Sequence, residues 1–200
     1  QFLYFIGTCT LPAAMVWASL AGSIVMYDTD DVLSAFFCVS STWDYIALFA
    51  FGFAVLFTRD RRWAAVLSGT LFATCVCEVA KRVLRQPRPQ PAWASAGEHI
   101  GFGMPSQHAN TGFAAATLYC LVIARKHRLP QRAAIGFGLA GTQALGRVYN
   151  QYHTAEQVLI GSVLGCVLAF ALAGNAVGRA VLQRLTTATL WCIGLLHHIA

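Results

Sequence analysis

Long apolar runs broken by short polar clusters are the dominant pattern along the chain. Residues 2–26 form the first run, which ends in Asp28, Asp30 and Asp31. The chain begins with Gln, so a residual signal sequence is weighed. The run is longer than a usual signal core and lacks a small-residue cleavage pattern, and a retained span is expected. A second span is expected over about 41–57, with Trp43 and Asp44 interrupting the apolar stretch before it and Trp43 as an interfacial anchor. The third covers 63–84, and Pro87, Pro89 and Pro91 stop its helix because residues before proline avoid the helical region. A loop containing Gly and Pro reaches Pro105. Further spans are expected over 106–124, 133–147 and 154–177, while 186–200 is apolar but short, either interfacial or the start of an incomplete span. The pattern predicts an all-α polytopic membrane bundle of about six transmembrane helices, with residues 1–200 as one domain.

Composition sharpens this picture. The chain is 57% hydrophobic and 11% charged, with a mean hydropathy of +0.58. A soluble domain carries roughly a quarter charged residues. The seven cysteines (Cys9, Cys38, Cys75, Cys77, Cys120, Cys166, Cys192) lie almost all inside apolar runs. An odd, scattered set is neither a disulfide framework nor a metal site, and ordinary small apolar packing is expected of it. These features exclude a secreted disulfide scaffold, a disordered tail and a soluble nucleic-acid binder.

The net charge of +6 matters through its placement. Most cations lie at the ends of apolar runs, which reads as a topology signal and not a nucleic-acid patch. With the spans as placed, Arg59, Arg61, Arg62, Arg125, Lys126, Arg128, Arg132, Arg179 and Arg184 share one side. Lys81, Arg82, Arg85, Arg88 and Arg147 share the other with Asp28, Asp30, Asp31 and Asp44. The positive-inside rule makes the first side cytoplasmic, so the second is expected to face a lumen or the cell exterior. The cations on that second side need another explanation.

They coincide with the residues of greatest chemical potential. Lys81 lies about one turn before the end of the third span, and Arg88 follows it on an extended segment. Ser106 is placed as N-cap of the fourth helix, whose free N–H groups and dipole favour an anion; His108 lies in its first turn. Arg147 ends the fifth span and His153 precedes the sixth. Each has an ordinary reading taken singly. Lys81 could pair with Glu78, Arg88 could be a loop charge, and the histidines could be hydrogen-bonded polar residues. Jointly, boundary charges gathered on one side against the topology bias point to a phosphate site. Glu98 and His99 in the loop are expected to be solvated.

The run Lys81-Arg-Val-Leu-Arg-Gln-Pro-Arg88-Pro89, then Pro105-Ser106-Gln107-His108, then Arg147 followed by His153, resembles the three-part signature of the type 2 phosphatidic acid phosphatase superfamily. The resemblance covers a motif core of 81–157. It implies an integral-membrane, metal-independent lipid phosphatase without cofactor. By that resemblance His153 is the nucleophile, His108 the acid and base, and Lys81, Arg88, Ser106 and Arg147 hold the phosphate. Phe102-Gly-Met-Pro-Ser-Gln-His108, Arg147-Val-Tyr and His153-Thr-Ala-Glu-Gln157-Val look most like the eukaryotic dolichyl diphosphate phosphatase branch. That branch implies a polyprenyl diphosphate substrate in the bilayer, a site on the lumenal side of the endoplasmic reticulum and a place in protein N-glycosylation.

Two positions depart from the broader family. Gly146 stands where a serine usually precedes the motif arginine, and Gln157 replaces the usual aspartate four residues after the nucleophile. An amide oxygen accepts the Nδ1 proton of His153 but supplies no charge. Thr154-Ala-Glu-Gln157 also reads as a capping box, so Gln157 either orients His153 or only caps the helix. A broad phosphatidate, lysophosphatidate or sphingoid-phosphate phosphatase and a non-catalytic phospholipid-binding protein are the competing readings. Oligomeric state is not encoded in any of these features.

Overall fold

Polar breaks in the sequence become helix caps. The computed structural model describes residues 17–19, 26–92, 94, 101–124 and 129–194. Among them, two short strands, β1 (Trp17–Ser19) and β2 (Met26–Asp28), precede seven helices: α1 (Val32–Ser40), α2 (Trp43–Thr58), α3 (Arg61–Leu84), α4 (Gln107–Leu118), α5 (Leu129–Tyr149), α6 (Ala155–Gly174) and α7 (Ala176–Cys192). A π-helical turn, Tyr119–Ile123, prolongs α4. The side chains of Asp31, Asp60, Thr154 and Asn175 accept the orphan N–H groups that open α1, α3, α6 and α7. Arg85, in the left-handed region at φ 50°, closes α3.

The all-α expectation holds. Among the described residues, three stretches are long and apolar enough to cross a membrane: Val32–Thr58, which joins α1 and α2, then Arg61–Leu84 and Ala155–Gly174. Phe49, Phe53, Phe57, Val163, Val167 and Phe170 are exposed, as suits side chains facing lipid. α4 is less apolar because it is enclosed by α3, α5 and α6, where Asn110, Thr111 and Thr117 are buried and bonded within the bundle. α6 meets α4 at Gly161 and Gly165, where an added Cβ would run into the backbone of Ser106 and Asn110. Small residues four apart let two backbones touch, as in membrane helix pairs. Val66, Leu118, Ala169, Leu172, Ala173 and Leu182 fill the core beside this contact.

Two expectations change. The span over 2–26 lies largely outside the described residues, and its described parts are extended: Trp17 pairs with Asp28 and Ser19 with Met26 in an antiparallel ribbon. The sixth span stops at Gly174, not 177, because Asn175 turns the chain and its Oδ1 accepts from Gly178 N at 2.8 Å. α7 then crosses the first half of α3, bonding Ser68 to Thr189 at 2.9 Å and Arg61 to Thr187 at 3.4 Å. The apolar start of 186–200 is thus helical through Cys192, and residues beyond 194 lie outside the description. Six of the seven cysteines are described, and all six are free.

Candidate active site

The end of α3 delivers the first cation. Lys81 is buried, with its Nζ 3.9 Å from Glu78, while Glu78 pairs more closely with the exposed Arg82 at 3.1 Å. Arg82 therefore takes most of the surface carboxylate, and Lys81 is left to the interior. Beyond α3 the chain runs extended, with Pro87 bridged to Phe102 and Gly103 N donating to Gln86 O at 2.7 Å. This pairing holds Arg88, whose Nε donates to Phe102 O at 3.3 Å.

Ser106 takes the extended cap conformation before α4, as its sequence position predicts, but its hydroxyl makes no capping bond. Its amide donates to Gln157 O at 3.0 Å, which ties the start of α4 to α6. The Oγ is buried and has no partner among the described residues. Arg147 resembles it in this respect. Only 3% exposed, it lies 4.0 Å over the Tyr152 ring, and its Nε and Nη1 have no partner among the described residues. Buried donors of this kind are costly unless something else satisfies them, and phosphoryl oxygens suit a guanidinium fork.

His153 is fixed to the same turn. Tyr152 N and His153 N both donate to Arg147 O, at 2.9 and 3.1 Å, and Gln151 makes the bend with φ 61°. Tyr152 in turn bonds the main chain of Met26, bringing β2 against the site. Burial, together with the charges of Arg147, Arg88 and Lys81, pushes the His153 imidazole down to about 2. The ring is neutral at any pH near 7, as a nitrogen nucleophile must be.

Gln157 makes the contacts of both roles that the sequence leaves open. Its Oε1 accepts from His153 Nδ1 at 3.2 Å and from Thr154 N at 3.3 Å, completing the capping box. Its Nε2 donates to Pro87 O at 2.8 Å and Gln86 Oε1 at 3.0 Å. These two acceptors fix which way the amide points, so Nδ1 of His153 carries the proton and Nε2 carries the lone pair. Gly103 leaves room for the arrangement, since a Cβ there would collide with the Gln157 amide. Gln157→Glu should lower turnover roughly 10- to 100-fold, because an isosteric carboxylate loses both donors and faces two acceptor oxygens. Steady-state phosphate release compared with thermal unfolding in detergent checks this; a loss confined to stability would reduce Gln157 to a cap.

Gly146 also has a packing reason. A Cβ would lie 3.0 Å from Phe37 Cβ and 3.1 Å from Phe37 O, so a serine here would require Phe37 to give by a few tenths of an ångström.

The structure brings Lys81, Arg88, Ser106, His108, Arg147, His153 and Gln157 to one end of the bundle, with the charges of Arg147 and Lys81 reaching both histidines. Glu98 and His99 lie outside the described residues. Sequence reasoning missed Asp44, which is buried and accepts from His108 Nδ1 at 2.7 Å. The available signal was an ionisable residue inside an apolar run, which marks a functional position in a membrane helix. It also missed Gln143, Gln86 and Tyr152, whose roles depend on contacts between distant segments.

A family model described as the PAP2 superfamily matches residues 62–176. Dolichyldiphosphatase 1 of Dictyostelium discoideum is 34% identical over 123 residues, which cover 58% of this chain and 53% of that protein. The chain thus spans about half the length of that relative. Dolichyldiphosphatase 1 of Homo sapiens is 27% identical over 181 residues, covering 82% of this chain and 73% of the relative. The crystal structure of Aquifex aeolicus LpxE shares the fold, with a TM-score of 0.56 and 20% identity over 70% of this chain and 84% of that chain.

Proposed function

The chain belongs to the PAP2 superfamily, and from that membership we propose that it is an integral-membrane phosphatase that hydrolyses dolichyl diphosphate to dolichyl phosphate. The observation that carries the reading is the set of buried donors without a partner among the described residues, Ser106 Oγ and Arg147 Nε and Nη1, beside a neutral His153. His153 Nε2 attacks the terminal phosphorus and the bridging P–O bond breaks, leaving a phosphohistidine. His108 protonates the departing oxygen, then takes a proton from the water that breaks the P–N bond. Lys81, Arg88 and Arg147 offset the charge of the diphosphate, a task that here falls to side chains and not to a metal ion.

The names of the relatives support the lipid class. The distribution of Lys and Arg supports a site on the lumenal face of the endoplasmic reticulum membrane. A site at headgroup level between helices lets an isoprenoid tail stay in the bilayer while the phosphates enter the cationic end.

The test is competition in detergent among dolichyl diphosphate, dolichyl phosphate and phosphatidate, run with EDTA. Dolichyl diphosphate should be preferred, EDTA should leave turnover intact and vanadate should inhibit it. Preference for phosphatidate would move the reading to a broad lipid phosphatase, and hydrolysis of none would favour a phospholipid-binding protein.

A further inference from the structure

A carboxylate at the start of an apolar helix is costly unless every oxygen is satisfied. Asp44, 5% exposed in the first turn of α2, meets that demand. Its Oδ1 accepts from Gln143 Nε2 at 2.8 Å and from Tyr45 N at 3.0 Å. Its Oδ2 faces His108 Nδ1 at 2.7 Å, within the range of a charge-assisted bond. Gln143 is fully buried and also donates to Ser41 O at 3.1 Å, so the carboxylate is held on both sides. The Tyr45 ring meets the His108 ring edge-on with centroids 5.7 Å apart. Lys81 of α3 and Arg147 of α5 are the cations whose charges bear on the same imidazole.

The two histidines of the site therefore have different partners. His153 Nδ1 meets an amide oxygen, and His108 Nδ1 meets a carboxylate. An amide oxygen can select a tautomer; a carboxylate also matches the charge of an imidazolium. The aspartate that the family pattern sets four residues after the nucleophile is Gln157 here. The anion stands instead beside the other histidine, supplied from 64 residues away.

We propose that Asp44, clamped by Gln143, is a positioning residue that prepares His108 as the acid of the phosphatase reaction. The proposal rests on the phosphatase reading above. In the first step the His153 Nε2 lone pair forms the P–N bond, the P–O bond to the leaving group breaks, and that oxygen receives the Nε2 proton of the His108 imidazolium. His108 keeps its Nδ1 proton on Asp44. In the second step Nε2 takes a proton from water as the water oxygen attacks phosphorus and the P–N bond breaks. Inorganic phosphate leaves and the imidazolium is restored.

An acid matters most when the leaving oxygen is basic, and that dependence is the test. kcat/KM, which reports steps up to leaving-group release, is measured for dolichyl phosphate, whose leaving group is an alkoxide, and for p-nitrophenyl phosphate. Asp44→Asn retains an oxygen that can accept from Nδ1 but removes the charge. It should lower kcat/KM about 100-fold for the alkyl ester and only a few-fold for the aryl ester. Gln143→Leu should give a smaller loss with the same dependence on leaving group, which keeps the test open if Asp44→Asn does not fold. In a His108→Asn background, Asp44→Asn should add nothing further. Equal losses on both esters, or no loss on either, would overturn the role of Asp44 while the wild type still turns over. Should the wild type release phosphate from dolichyl diphosphate alone, Asp44→Asn must lower that turnover in the wild-type background and not in His108→Asn, or the proposal falls; release from none of the three would overturn the phosphatase reading together with it.

Discussion

His153→Ala protein should release phosphate at least about 10⁴-fold more slowly than the wild type, since a missing nucleophile cannot be replaced by the cations around it. The acid-labile, alkali-stable phosphoenzyme expected of the wild type should disappear with it. Rapid-quench labelling with radioactive substrate measures both. The fold should survive, because among the described residues the imidazole makes one side-chain bond, at 3.2 Å to Gln157. Stability should even diverge in the variant's favour in acid. The His153 ring lies near 2 when folded, against 6.5 for an ordinary imidazole. Between those values the unfolded chain binds a proton that the folded chain does not, so the wild type loses stability as pH falls below 6.5. The slope is at most about 1.4 kcal/mol per pH unit. Thermal unfolding of the two proteins at pH 7 and pH 5 should show the gap shifting toward the variant. Unchanged turnover would sink the nucleophile assignment.

Arg147→Met should lower kcat/KM by about 10³-fold, the scale of losing a charged transition-state donor from a buried site. Unlike most core changes it should not destabilise the protein. Two guanidinium nitrogens are buried without protein partners, and removing such a charge relieves desolvation at the cost of its stacking on Tyr152. Inorganic phosphate or vanadate should raise the melting temperature of the wild type and not of the variant. Arg147→Lys should recover little, since a point charge cannot reproduce the fork. A variant that keeps its activity, or a wild type whose stability ignores both anions, would remove Arg147 from the phosphate site.

The proposed site residues are legible in sequence because each sits at a boundary between apolar and polar chain, where charge is conspicuous. Lys81, Ser106, His108 and Arg147 stand at helix ends, with Arg88 and His153 on the short segments just outside them, and apolar periodicity finds those ends within a few residues. Partnerships across the bundle are not legible in the same way. Asp44 reads as an interruption in an apolar run until α2 is packed against α4 and α5. Gly146 reads as a lost ligand until Phe37 is found against it. Gln157 reads as either cap or orienting group because both roles use one oxygen, and only the position of Pro87 and Gln86 shows that they coexist. The ribbon of β1 and β2 is hidden for another reason: its residues are apolar enough to suit a span, and hydropathy alone carries no record of strand pairing.

The contact of α6 with α4 at Gly161 and Gly165 has a consequence for engineering. Ser106 and His108 sit at the start of one helix and Gln157 at the start of the other, and the two main chains approach closely between them at Gly161 and Gly165. A larger side chain at either glycine would push the two helix starts apart. Attempts to redirect the protein toward a different lipid tail should therefore work on the lipid-facing residues of α2 and α6, leaving the phosphate end as an invariant cartridge.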